Sequence, residues 1–266
     1  MTEKEKRMVE TMHKAAQYLA MAGKTYLQEK SDDSHTNLEW LPKKRSLVSR
    51  DLNDRGIRLA INYKQYALEI LTDDELLDSV ALTGETHSFL INWIDQGLKR
   101  YGLKDDYRFE PHYILPYENA LNNEYQFPAP NADKLQDLIN QRNICEEALR
   151  NVLSERKDAS DIRVWPHHFD TGALIEVDED NHGFTKSIGL GLSIPDSMID
   201  GFYLYASPWS KGQELDLSNL DEDTLSSGEW RNEEWKGATL KTSNVSVQDA
   251  TNFFQEAIQE LLLVLR

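Results

Sequence analysis

Two runs of short strand-like segments, each enclosed by helices, constrain this fold more than any single motif. Residues 3–29 carry Met8, Met12, Ala15, Ala16, Leu19 and Ala22 at three- and four-residue spacing, which is a helical stripe. Ser31-Asp32-Asp33-Ser34 breaks it. Strand-like pieces follow at about 37–41, 45–50, 57–62 and 66–71, with Asn53-Asp-Arg-Gly56 as a turn. A helix over roughly 86–101 carries Phe89, Leu90, Trp93, Ile94 and Leu98 on one face, and Gly102 stops it.

The pattern then repeats. Residues 103–131 hold four of the eight prolines among many Tyr and Asn, and read as a long ordered loop or a connection between halves. A helix covers about 132–156, capped by Asn131 or Asp133, and its stripe contains Cys145. Strands return at about 161–165, 168–177, 185–193 and 202–207, with Asp178-Glu-Asp-Asn-His-Gly183 as a hairpin turn. Residues 210–234 form an acidic, turn-rich excursion before a strand at 236–242 and a last helix at 246–265, where Ser246 and Asp249 make a capping box. Strand runs between helices predict an α+β fold with antiparallel sheet, not alternating βαβ units. The expected organisation is a helix–strands–helix half over 1–130 and another over 131–266, joined in one compact unit. Leu38-Glu-Trp40 echoes Arg163-Val-Trp165, a faint sign that the halves are duplicated.

Charge narrows the function classes. The chain has 29 basic and 46 acidic residues, a net charge of −17. That repels a phosphate backbone and argues against nucleic acid as a partner. The excess is uneven: residues 1–50 sum to +3, whereas residues 151–266 hold 21 acidic and 9 basic side chains. The longest apolar run, Leu261 to Leu265, is far short of the roughly 20 residues that cross a bilayer. The N-terminus has no apolar signal core, and the single cysteine cannot form an internal disulfide. Together these predict a cytoplasmic protein without a membrane partner. On the helical stripe, Cys145 reads as a buried structural thiol.

The most distinctive stretch is Trp165-Pro166-His167-His168-Phe169-Asp170. On an extended strand His168 and Asp170 share a face, and His167 and Phe169 the other. A histidine beside a carboxylate is a polarised base or two ligands of a metal, with Glu110, His112 or His87 as the source of a third. The plainer reading is that the two bond each other or the backbone. Gly201-Phe-Tyr-Leu-Tyr-Ala-Ser-Pro-Trp209 places Tyr203 and Tyr205 on one face, either at a pocket edge or at a core rim. Four of six tryptophans lie between 165 and 235, as stacking plates or as pins for the acidic excursion. Ala22-Gly-Lys-Thr25 and Gly189-Leu-Gly191 lack the spacing and flanking elements of nucleotide loops.

The helix at 132–156 followed by Trp165-Pro-His-His-Phe-Asp170, the Gly189-Leu-Gly191 strand and Phe202-Tyr-Leu-Tyr-Ala-Ser-Pro208 resembles a bacterial group, domain-of-unknown-function family 5996. His35-Thr-Asn-Leu-Glu-Trp40 with Arg58-Leu-Ala-Ile61 is similar to its opening strands. The step before Phe169-Asp170 departs from that family's Trp-Gly-Ser pattern. The resemblance implies a bacterial soluble α+β protein and carries no catalytic residue or cofactor. The leading expectation is small-molecule binding in an aromatic pocket formed by Trp165, His167, Tyr203, Tyr205 and Trp209, with His168 and Asp170 as polar contacts. One alternative is a hydrolase, metal-dependent or not, with His168 as base or ligand and Asp170 as its orienter. Another is an acidic module for a basic protein partner. The acidic half favours a neutral or cationic ligand over a phosphorylated one.

Overall fold

The computed structural model describes residues 2–73, 75–117, 121–180 and 183–266. The fold is α+β, with four α-helices and two antiparallel sheets among the described residues. In chain order the elements are α1 (Glu3–Tyr26), β1 (Glu39–Leu41), β2 (Ser46–Val48), β3 (Arg58–Asn62), β4 (Ala67–Leu71), β5 (Leu76–Ala81) and α2 (His87–Arg100). There follow α3 (Ala132–Leu153), β6 (Arg163–Trp165), β7 (Asp170–Asp180), β8 (Gly183–Ser193) and β9 (Tyr203–Ser210). A short 3₁₀ turn, Glu222–Thr224, precedes β10 (Glu229–Asn232), β11 (Lys236–Lys241) and α4 (Val247–Leu265). One sheet is ordered β1-β2-β3-β4-β5 and the other β10-β11-β9-β8-β7-β6.

Two strands go beyond the sequence pattern. β5 has no polar–apolar alternation, and β10 lies inside the excursion expected to be irregular. Of the expected hairpin turn 178–183, Asp178–Asp180 and Gly183 extend the strands, and Asn181 and His182 lie outside the described residues. No helix among the described residues is long and apolar enough to cross a membrane.

The chain divides into two compact units, Met1–Ile139 with Val164–Phe169, and Asn140–Arg163 with Asp170–Arg266. The division falls within α3 rather than at 130/131. The first turns of α3 belong with α1, because Lys134 donates to Glu5 at 2.7 Å. That ion pair, with the Thr2 capping box, holds the Glu5 carboxyl down to about 2. The later turns, with Cys145, Ala148, Leu149 and Leu153, belong to the core of the second unit.

In the first unit α1 packs on β3, and Ile70 of β4 lies where Gly97 of α2 has no side chain. Unlike the expected one-sided helix, α1 is buried over nearly its whole circumference from Met8 to Gly23, so His13, Lys14 and Gln17 are buried with its apolar residues. The reason is the 103–131 segment. Its Tyr107 hydroxyl donates to the Tyr18 carbonyl, and Phe109 and Phe127 pack on the Tyr18 ring. A helix covered on both sides must pair every polar group it carries.

In the second unit, one face of β7, β8, β9 and β11 packs Ile175, Ile188, Leu190 and Leu204 against Phe253, Phe254 and Leu261 of α4. Each such side chain contributes roughly 1.5–3 kcal/mol. The acidic excursion is anchored by Leu215, Leu217 and Leu225, which enter this core. Trp230 donates to Thr224 at 3.1 Å, and the Trp235 ring lies over Gly237. Cys145 is fully buried, and burial raises its thiol well above the ordinary range, as expected of a structural cysteine.

Candidate functional site

In the first unit α1 organises the site. The Gln17 amide donates to the Pro166 carbonyl at 2.9 Å and to the His13 carbonyl at 3.1 Å, and its oxygen accepts from the Tyr113 hydroxyl at 2.7 Å. One buried side chain therefore ties the 103–131 segment to the turn at 166–169. His13 adds a second tie. Its Nε2 lies 2.8 Å from the Pro166 carbonyl, which can only accept, so in the neutral ring the proton is on Nε2. Nδ1 then accepts from the Tyr117 hydroxyl at 2.9 Å. The His13 ring also stacks on Phe169 at 4.7 Å.

The Trp165–Phe169 segment is not the strand its alternation predicts. Residues 166–169 form a turn closed by the Phe169 amide donating to the Trp165 carbonyl at 2.6 Å. Phe169 sits at φ +60°. Few non-glycine residues accept that conformation, and here docking on His13 and closure of the turn hold it. The shared face of His168 and Asp170 is thereby lost. His168 is exposed at the turn and belongs to the first unit; Asp170 opens β7 in the second.

A continuous strip of rings results in the first unit. The His167 ring lies 4.3 Å from that of His168, 6.0 Å from that of Trp165 and 5.8 Å from that of Tyr113. Tyr113 lies 4.8 Å from His112. The strip ends on a carboxylate, because His112 Nε2 donates to Asp33 at 2.8 Å. His35 stands beyond Asp33, its Nδ1 accepting from the Lys30 amide and lying 3.8 Å from the Asp33 carboxylate. Burial, and then the Asp33 charge, push the Tyr113 hydroxyl above its ordinary range and keep it a donor to Gln17.

Of the proposed third partners for His168, His112 pairs with Asp33, and the backbone carbonyl of Glu110 receives Lys24 at 2.7 Å. His87 is hydrogen-bonded through Nδ1 to the Tyr18 hydroxyl at 2.8 Å. Among the described residues, the ring contact of His168 is with His167. No group of three His, Cys, Asp or Glu side chains among the described residues is placed to hold a metal.

The remaining expected ligand contacts lie in the second unit. Tyr205 donates to Asp170 at 2.8 Å, and Tyr203 to Asp196 at 2.6 Å. Burial first, then the paired carboxylates, raise both hydroxyls. Trp209 is exposed near the end of β9, edge-on to Phe184 at 5.7 Å. The expected pocket residues thus separate into the strip (Trp165, His167, His168), the Tyr203 and Tyr205 pairs, and Trp209.

The Asp33–His112 pair, His13 and Gln17 are absent from the sequence reading. The pair spans 79 residues and leaves no local signature. The other two had a signal: polar side chains on a stretch otherwise made of Met, Ala and Leu. No family model, no curated protein and no solved structure matches the chain.

Proposed function

We propose that the protein binds a small, uncharged or cationic molecule bearing a ring on the strip formed by Trp165, His167, Tyr113 and His112, with His168 at one end and Asp33 at the other. The observation that supports this most is the Gln17 amide, which fixes Tyr113 and the 166–169 turn to one helix and so pre-organises the rings beside each other. Rings of this kind offer stacking and edge contacts, imidazole nitrogens offer donors and acceptors, and a carboxylate favours an ammonium or hydroxyl group over a phosphate. The single buried cysteine and the acidic composition support a cytoplasmic setting.

The test is a histidine-ring NMR titration with three ring-bearing probes: glucose, adenine and benzylamine. One of them is expected to shift the His112, His167 and His168 resonances with a dissociation constant below about 1 mM. Trp165→Ala should weaken that response at least about tenfold. If none of the three moves these resonances, or if Trp165→Ala leaves the response unchanged, the reading is wrong.

A hydrolase reading is favoured by one contact, that of Asp33 with His112. A carboxylate that holds an imidazole by Nε2 leaves Nδ1 to take a proton from water. In this reading His112 and Asp33 take the roles the sequence assigned to His168 and Asp170. It requires His112→Gln to abolish a hydrolysis that His168→Gln leaves intact.

A further inference from the structure

Three aromatic side chains stand in a row on the second unit, at one end of three adjacent strands, β11, β9 and β8. α4 packs on one face of this sheet, against Leu204 and Ala206 of β9, so alternation turns Ser207 and Trp209 to the other face. Trp209 is 46% exposed, and Phe184 of β8 meets it edge-on at 5.7 Å and is itself 39% exposed. Trp235 stands immediately before β11, and extending the β11–β9 register sets it opposite Trp209. Its ring can lie over the sheet because a glycine follows two residues on. A β-carbon on Gly237 would meet that ring at 2.7 Å and the Ser207 backbone at 3.1 Å.

The surroundings are polar and balanced in charge. Arg231, opposite Gly237, donates to Thr239 at 3.1 Å and pairs with Glu229. Lys211, two residues beyond Trp209, pairs with Asp180 at 2.9 Å. All four of these charged side chains are part-exposed. Ser207 stands opposite Gly189 and beside Gly237, so the positions next to the row are small.

We propose that this row is a binding platform for an uncharged sugar chain, independent of the strip in the first unit. Three arguments select that ligand. Rings on neighbouring strands recur at the strand spacing of about 4.8 Å, close to the length of one sugar unit, so successive units meet successive rings. An exposed ring offers its apolar surface to the C–H face of a sugar, while the Arg231–Glu229 and Lys211–Asp180 pairs offer donors and acceptors to its hydroxyls without a net charge. Glu233 and Glu234, exposed beside Trp235, repel a phosphate backbone, which removes nucleic acid as an occupant.

An NMR titration of the tryptophan indole N–H groups of the full chain tests this, with maltohexaose, cellohexaose and N-acetylchitohexaose as probes. At least one is expected to shift the Trp209 and Trp235 resonances with a dissociation constant of about 0.1–1 mM. Because Trp209 is exposed, Trp209→Ala should leave the circular dichroism spectrum unchanged while weakening the Trp235 response at least about tenfold. Phe184→Ser, a second exposed change, should weaken it in the same direction, and Trp165→Ala should leave it intact. If no probe moves Trp209 and Trp235, or if Trp209→Ala leaves the Trp235 response unchanged, the proposal is overturned. A sugar that moves Trp165 but neither of these two belongs to the strip, which overturns the platform and leaves the first reading standing. A shift of the same resonances on concentrating the chain alone would make the row a protein contact and overturn it as well.

Discussion

The Tyr205 hydroxyl reaches the Asp170 carboxylate across two glycines. In the sheet, Tyr205 on β9 stands opposite Gly191 on β8, which stands opposite Gly172 on β7. A β-carbon on Gly191 would lie 2.7 Å from the Tyr205 oxygen and 2.0 Å from the Thr171 carbonyl oxygen, and one on Gly172 would lie 3.1 Å from the same hydroxyl. The Gly189-Leu-Gly191 step thus has a structural reason unrelated to nucleotides: Gly191 leaves room for the tyrosine to lie flat and meet its acceptor.

This relationship predicts unequal glycines. Gly191→Ala must displace the backbone as well as Tyr205 and should cost about 3 kcal/mol or more. Gly189→Ala meets its nearest atom, a Leu174 methyl, at 3.7 Å, an ordinary contact, and should change stability by less than about 0.5 kcal/mol. Tyr205→Phe should fall between them, at about 1–3 kcal/mol, because it removes a donor from a carboxylate. Urea denaturation of the three variants would check the ranking, and equal effects at Gly189 and Gly191 would refute it.

His87 predicts an acid limb in stability. Burial lowers its pKa to about 4 from an ordinary 6.5, so the folded ring, hydrogen-bonded through Nδ1 to the Tyr18 hydroxyl, is neutral at pH 7. The unfolded chain takes up that proton first. Stability from this group is complete above pH 6.5 and is lost as pH falls from about 6.5 to 4, by on the order of 2–3 kcal/mol. Carboxylates such as Glu5 act in a lower window, below their ordinary value of 4.5. His87→Gln should flatten the urea midpoint between pH 6.5 and 4.5; a variant that keeps the wild-type slope there would show that another group is responsible.

Most of the architecture is legible from the sequence because apolar period and helix caps are local. Asn131 caps α3 through the Lys134 amide, Ser246 and Asp249 complete their capping box, and Gly102 ends α2 at φ +99°. β5 escapes because Leu76-Leu77-Asp78-Ser79-Val80-Ala81 reads as neither period. The candidate site is legible only in part. Trp165, His167 and His168 are conspicuous by composition, but their disposition depends on the left-handed Phe169, and that depends on His13, more than 150 residues earlier. Alternation pairs Asp170 with His168 only if the chain between them is extended, and here it turns at 166–169. Long-range pairs such as Asp33 with His112, or Gln17 with Tyr113, have no sequence period to betray them.

His13 should govern the turn at 166–169. His13→Phe keeps a ring against Phe169 but removes the donor to the Pro166 carbonyl and the acceptor for Tyr117. The expected cost is about 1–3 kcal/mol. The sharper consequence is local: the Phe169 amide, bonded to the Trp165 carbonyl at 2.6 Å, should exchange with deuterium at least about tenfold faster relative to amides of β8. If exchange rises equally in both places, the effect is global and His13 does not hold the turn.

The edge of the first sheet is guarded by side chains. β5 is a terminal strand, where unpaired backbone groups invite another strand. The Tyr101 hydroxyl donates to the Leu77 carbonyl at 2.8 Å, and the Asp78 carboxylate accepts from the Ser79 amide at 2.9 Å and from Arg100 at 2.6 Å. Two backbone groups of the strand are therefore already engaged, one by a residue at the end of α2. Tyr101→Phe with Asp78→Ala should lower stability only modestly, by about 1–3 kcal/mol for the pair, because both sites lie near solvent. The double variant should nevertheless aggregate sooner on warming, with light scattering that rises steeply with protein concentration. A variant matched in stability but altered elsewhere, such as Tyr205→Phe, separates the two causes. Edge protection predicts that only the β5 variant aggregates early, and equal aggregation in both would attribute the effect to lost stability alone.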